Sequence, residues 1–256
     1  MAIIMEKNSL NYLAAFSPIR CDTHFIHNIQ VADNFFSNEK ITWVALGSVL
    51  ENVRNGMNIT TDYYSMEKTD ILYLSVSQIK EYGLIEKNQN YLTDEVKDLT
   101  SYFELEPNMI LITRSGTIGV ALSTNHASFN FDEYSYVASG FVITAKIKEG
   151  FSANTIAAYI NLFDVQKYLT AMAAGACQKN IAQPIINNLP TPECLLNSET
   201  DINKCFADYN EKSLKIIESM ASYEKELSEL KSQVSASVKD KIVEFYQEPV
   251  SEQTAA

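Results

Sequence analysis

The alternation of apolar and polar positions divides the chain into a strand-rich part and a helical part. Over 41–150 the apolar residues come in short runs rich in β-branched and aromatic side chains. Ile71–Val76, Met109–Thr113 and Tyr136–Ile147 read as strands. Gly140 and Gly150 bracket Phe141–Ile147, which predicts a central strand. Asn55-Gly56 and Tyr82-Gly83 supply turn chemistry. Asp94–Phe103 reads as a short helix with Thr93 at its N-cap. From Ala153 the period lengthens. Ile156, Tyr159, Ile160, Phe163 and Val165–Leu169 suit one amphipathic helix reaching Ala174, capped by Ser152 or Asn154. Pro190 and Pro192 then interrupt the chain. Over 200–245, Ile216, Met220, Tyr223, Leu227, Leu230 and Val234 alternate by four and three, the spacing of a coiled-coil seam. A long helix with such a stripe needs either a partner helix or its own domain to cover it.

These patterns predict an α+β fold: a mixed-sheet domain over 41–195, preceded by a packed extension over 1–40. A long C-terminal helix over 196–246 and a frayed tail over 247–256 follow. No apolar run approaches the roughly 20 residues that span a bilayer, and the N-terminus lacks a secretory pattern. A cytoplasmic protein is expected. Its four cysteines (Cys21, Cys177, Cys194, Cys205) show no Cys-x-x-Cys spacing and read as reduced, mostly packed thiols. With three histidines (His24, His27, His126) no metal site is expected.

The tightest local signal is Asn108–Gly119, a buried strand that breaks at once into a turn holding Arg114, Ser115, Gly116, Thr117 and Gly119. Gly116 and Gly119 shape the turn; one arginine and two hydroxyls are presented at its end. Some sixty residues on, 175–192 carry Gly-Ala-Cys-Gln-Lys-Asn-Ile and then Leu-Pro-Thr-Pro. This pair resembles the target-recognition domain of the specificity (S) subunits of type I restriction–modification systems. Trp43–Gly47 through Val53–Gly56 is similar to that family's opening, and Tyr73–Gly83 to its second block. The resemblance covers about 41–193. It implies a non-catalytic reader of double-stranded DNA that docks methyltransferase (M) subunits, with a restriction (R) subunit as a further partner and no cofactor of its own. S subunits usually hold two recognition domains, each reading one half of a split site. This chain holds one and has no internal repeat, so the resemblance implies a half-length form whose homodimer, paired through the seam, reads two inverted half-sites.

Charge complicates this reading. Lys and Arg number 20 against 32 Asp and Glu, a net charge of −12, and 41–195 alone hold 10 basic and 16 acidic residues. A nucleic-acid binder usually carries a basic surplus or stripe. Either basic residues are segregated, with Arg54, Lys80, Arg114, Lys146, Lys148 and Lys179 on one face, or a partner subunit supplies most phosphate contacts. Candidate DNA contacts are Arg54, Asn55, Thr60, Thr61, Tyr63, Tyr64, Lys80, Arg114, Ser115, Thr117 and Lys179. Each has a plainer alternative. Arg114 donates to guanine or phosphate, or staples its turn in a salt bridge. Lys179 and Asn180 contact phosphates, or Gln178 and Asn180 cap a helix or join two elements. The Thr60–Tyr64 loop reads base edges or is simply solvated. No Asn/Asp-Pro-Pro-Tyr/Phe element, P-loop, Gly-x-Ser-x-Gly or nuclease core is present, which disfavours an enzyme. The alternative class is an acidic protein-interaction module on the same fold, binding protein rather than DNA.

Overall fold

The computed structural model describes residues 23–85, 90–174 and 179–196, together with a set of helical positions between 211 and 234. The chain divides into two units, Met1–Leu214 and Lys215–Ala256. In the first unit the described elements run in the order α1 (Thr23–Phe36), β1 (Trp43–Ala45), β2 (Leu50–Asn55), β3 (Tyr64–Ser65), β4 (Ile71–Leu74), β5 (Ile79–Lys80), β6 (Gly83–Leu84), β7 (Asn90–Leu92), α2 (Lys97–Thr100), β8 (Met109–Thr113), β9 (Ala121–Ser123), β10 (Ser135–Ala138), β11 (Val142–Ile147), α3 (Ala153–Ile160), α4 (Phe163–Met172), α5 (Gln183–Asn187) and β12 (Pro190–Pro192). The domain is therefore α+β, as its patterning implies.

An antiparallel sheet of order β2-β11-β8-β9 forms the centre. All five residues of Met109–Thr113 are buried, because both faces of this sheet are covered. Alternation assigns the faces. Ile110, Ile112, Ile143 and Ala145 pack with Ile156, Tyr159 and Leu169 of α3 and α4. Met109, Leu111 and Val142 pack with Leu72, Leu74, Tyr136 and Ala138 of the second sheet. That sheet, of order β10-β4-β7-β3, is mixed: β10 runs parallel to β4, and β7 antiparallel to both β4 and β3. The described part of the extension packs too. Phe35 and Phe36 of α1 meet Trp43 edge-on at 5.3 and 5.2 Å, and Phe36 meets Tyr168 of α4 at 5.3 Å. The domain closes on itself where β1 pairs β12, placing Trp43 opposite Pro192 and Ala45 opposite Pro190. The Leu46 amide donates to the Leu189 carbonyl and the Glu193 amide to the Thr42 carbonyl, both at 2.9 Å.

Several local expectations need correction. The run 153–174 is two helices: the backbone leaves the helical path at Leu162 (φ −60°, ψ +142°), just after Asn161, which ends α3 and serves as a strand partner. Its side-chain amide accepts from the Ala121 amide at 2.9 Å and donates to the Ala121 carbonyl at 2.8 Å, covering the open edge of β9. Gln166 donates to the carbonyl of Ile160, left without a helical partner by the break. Tyr136–Ile147 is likewise two strands in different sheets, separated at Ser139–Phe141; Val142–Ile147 is central, paired on both sides. Asp94–Phe103 is one α-turn flanked by 3-10 turns, and Thr93 makes no side-chain cap. Ser152 does cap α3, accepting from the Thr155 amide at 3.3 Å. Gly56 marks a close approach rather than a turn: a Cβ there would lie 2.1 Å from the Ala138 carbonyl oxygen. Cys194 is exposed, not packed; Cys21, Cys177 and Cys205 lie outside the described residues.

In the second unit the described positions are helical, and Ile216, Met220, Tyr223, Leu230 and Val234 are exposed by 41–68%. Leu227 lies outside the described residues. No helix of the described residues is long and apolar enough to cross a membrane.

Candidate nucleic-acid interface

The turn after β8 is held by Thr113. Its carbonyl accepts from the Gly119 amide at 2.7 Å, its hydroxyl oxygen accepts from the Val120 amide at 3.0 Å, and the same hydroxyl donates to the Thr117 carbonyl. Gly116 (φ +76°) and Gly119 (φ +81°) adopt the left-handed backbone that closing so short a loop requires. Leu169 and Gln166 lie 3.1–3.3 Å from where a Cβ of residue 119 would sit, so a side chain there would be strained and tightly packed.

The backbone of Arg114 is fixed on both sides. Its amide donates to the Phe141 carbonyl at 3.0 Å, and its carbonyl accepts from the Ile181 amide at 2.9 Å. Ser115 forms a bridge with Asn180, whose backbone also exchanges two hydrogen bonds with Ala174. The strand-turn motif and the Lys-Asn-Ile motif, sixty residues apart, thus meet in space. Asn180 joins two elements; α5 starts after Ala182 with no side-chain cap, and Gln178 lies outside the described residues. Ser115 is buried at 2% exposure, while Thr117 is exposed and Arg114 and Lys179 are half-buried.

Arg54 and Asn55 end β2 beside β11, where Arg54 faces Thr144 and Asn55 faces Ile143. The Gly56 amide then donates to the Val142 carbonyl, which brings Asn55 to the same end of the sheet as Phe141 and Arg114. Thr60 and Thr61 are exposed on a loop of the second sheet. Tyr63 and Tyr64 are half-buried against Ile71, Tyr73 and Leu92, and burial pushes the Tyr64 hydroxyl pKa up. The Tyr73 hydroxyl donates to the Met57 carbonyl at 2.8 Å, tying that loop down. Lys80 stands apart on the β5–β6 hairpin, opposite Gly83.

Charge is distributed unevenly among these positions. Lys68 pairs with Glu133 at 2.8 Å, Lys97 with Asp94 and Asp70 at 3.0 and 3.3 Å, and Lys146 with Glu106 at 2.5 Å. Carboxylate partners raise all three ammonium pKa values. By contrast Arg54, Lys80, Arg114 and Lys179 have no carboxylate partner among the described residues. Arg54 and Arg114 each bury an Nε that no acceptor meets. The salt bridge considered for Arg114 from sequence is therefore absent among the described residues.

Reading the sequence missed two features. Tyr102 and Phe103 lie under Arg54, with the guanidinium carbon 4.5 and 5.7 Å from their ring centres. Phe141, exposed by 51%, lies next to the Arg114 backbone. An aromatic pair closing an acidic helical turn was visible, but nothing local linked it to Arg54.

Three solved structures are similar to this chain. One is the S subunit of a type I restriction–modification system from M. genitalium, at 14% identity and TM-score 0.40, over 79% of this chain and 44% of that one. Another, at 11% identity and TM-score 0.49, covers 86% of this chain and 53% of that one; it concerns complex assembly and conformational transition of the type I R-M system. The third is the HsdS subunit from Thermoanaerobacter tengcongensis, at 10% identity and TM-score 0.40, over 82% and 43%. The chain spans about half the length of the structures it matches. Neither a protein-family model nor a curated protein matches it.

Proposed function

We propose that the chain is a non-catalytic, cytoplasmic specificity subunit that reads one DNA half-site for a type I restriction–modification complex. The observation that carries this reading is the set of unpartnered cations. In a chain of net charge −12, carboxylates neutralise Lys68, Lys97 and Lys146, the last of them expected on the basic face, whereas Arg54, Lys80, Arg114 and Lys179 meet none among the described residues. A guanidinium without a carboxylate keeps its fork of donors for a base edge or a phosphate. In this reading Arg54, Arg114 and Lys179 make the strongest contacts, with Asn55, Thr117, Thr60, Thr61 and Lys80 around them. Ser115, Tyr63 and Tyr64 hold the frame.

The recognition domain occupies 41–195 behind an extension over 1–40. The C-terminal helix over 196–246, ahead of a tail over 247–256, pairs with a second copy through Ile216, Met220, Tyr223, Leu227, Leu230 and Val234 as a coiled coil. It docks methyltransferase subunits, and a restriction subunit joins the complex. Methyl transfer and cleavage belong to those partners.

Selection from random duplex DNA, with the chain and its methyltransferase subunit purified together, tests this. Enrichment of two inverted copies of one short sequence is the expected result. Enrichment of no sequence, with a stable complex to another protein instead, favours the acidic protein-interaction module to which the −12 charge points.

A further inference from the structure

We propose that Tyr102 is a positioning residue for Arg54: with Phe103 it forms an aromatic shelf that holds the guanidinium fork toward a two-pronged acceptor on DNA. The acceptor is a phosphate or the O6/N7 edge of a guanine. The proposal rests on the reading of the chain as a DNA reader and adds residues that reading did not contain.

The shelf is built from a rigid side and an open side. Phe103 packs with the buried cluster around Ile71 and Val137, and the neighbouring Glu104 bridges Val137 of β10. Tyr102 meets Phe103 edge-on, with ring centres 5.2 Å apart and planes at 88°, yet remains 69% exposed. An exposed tyrosine that contributes little to the core lies here under a guanidinium. The cation lies 4.5 Å above the Tyr102 ring, the nearer of the two. Stacking covers one face of the planar group and leaves its edge donors unused.

Among the described residues no protein acceptor meets those donors. Arg54 has no carboxylate partner among the described residues, and its buried Nε has none of any kind. Ring contact therefore replaces an ion pair as the device that orients Arg54. An ion pair would neutralise the charge and occupy the fork; a ring does neither. On this acidic chain that choice keeps one oriented, uncompensated cation for an external acceptor.

The test uses the full chain in two stages. Without DNA, the Arg54 Nε–Hε resonance of the wild type is expected to carry an upfield ring-current shift. Tyr102→Phe should keep the shift and Tyr102→Ala should lose it; a shift that survives Tyr102→Ala overturns the positioning role. With the selected DNA and the methyltransferase subunit, Tyr102→Ala is expected to weaken binding roughly 5- to 10-fold. Tyr102→Phe should bind as wild type, and Tyr102→Ala should cost nothing further once Arg54→Ala is present. A further loss in that background overturns the proposal. If the resonance responds as expected but Arg54→Ala binds DNA like wild type, the shelf stands, and Arg54 as a DNA contact is overturned. Arg54→Lys separates the two acceptors: a loss spread evenly over all sequences assigns a phosphate, and a lost preference for guanine at one position assigns the base edge.

Discussion

The central sheet has two unlike ends. At one end Lys146, opposite Met109, reaches the Glu106 carboxylate at 2.5 Å, with Glu51 close by in the register. At the other end the same strands deliver Asn55, Phe141 and Arg114, and no carboxylate meets the arginine among the described residues. Strand type, burial and pairing are alike along the sheet, so the difference lies in what the connecting loops bring. An acidic loop ahead of β8 neutralises its lysine. A glycine-closed turn after β8 fixes the Arg114 backbone and leaves its charge uncompensated. Net charge is thus a poor guide to what one face of a protein can bind; the pairing of individual cations is a better one.

The sharpest way to break this contrast is to disturb the frame of the arginine end. Gly56→Ala drives a methyl group into the Ala138 carbonyl and should lower stability by about 3 kcal/mol in urea unfolding. Next, Arg114→Ala should weaken binding to the selected DNA by about 1–3 kcal/mol, roughly 5- to 150-fold. Lys146→Ala, at the other end, should leave that affinity within twofold, about 0.4 kcal/mol; equal losses at both ends would erase the contrast.

A smaller effect concerns pH. His126, next to β9 at the lysine end, is buried, and desolvation lowers its imidazole pKa. Its Nδ1 accepts from the Ser128 amide at 3.2 Å, which fits the neutral ring. The unfolded chain therefore binds more protons than the folded one as pH falls below about 6.5. Stability from this group is complete above that value and declines until the pH passes the folded pKa. Comparing wild type with His126→Gln by urea unfolding at high and low pH isolates it: the difference between the two proteins should shrink in acid.

Much of the frame was legible in the sequence. Met109–Thr113 announces a buried strand because every residue is apolar or β-branched, while the bond between the turn after it and the Lys-Asn-Ile motif appears only in the fold. The break at Asn161 was not legible. The chain turns at Leu162 while the Asn161 amide pins the edge of a strand forty residues earlier, and a helical period carries no trace of that contact. The shelf under Arg54 escaped for the same reason: a cation over a ring is a contact in space, with no periodicity to betray it. Arg114 was visible as a candidate, but its lack of a carboxylate partner appears only when the surrounding loops are in place.

The central claim is that cations without carboxylates, not the net charge, make the DNA-reading face. Its most direct measurement is the salt dependence of binding to the selected DNA, compared between the Arg54→Ala, Arg114→Ala double variant and the Lys68→Ala, Lys97→Ala, Lys146→Ala triple variant. The account predicts a shallower slope and lost sequence preference in the first, with both unchanged in the second. The reverse result, or equal slopes in the two, would contradict it.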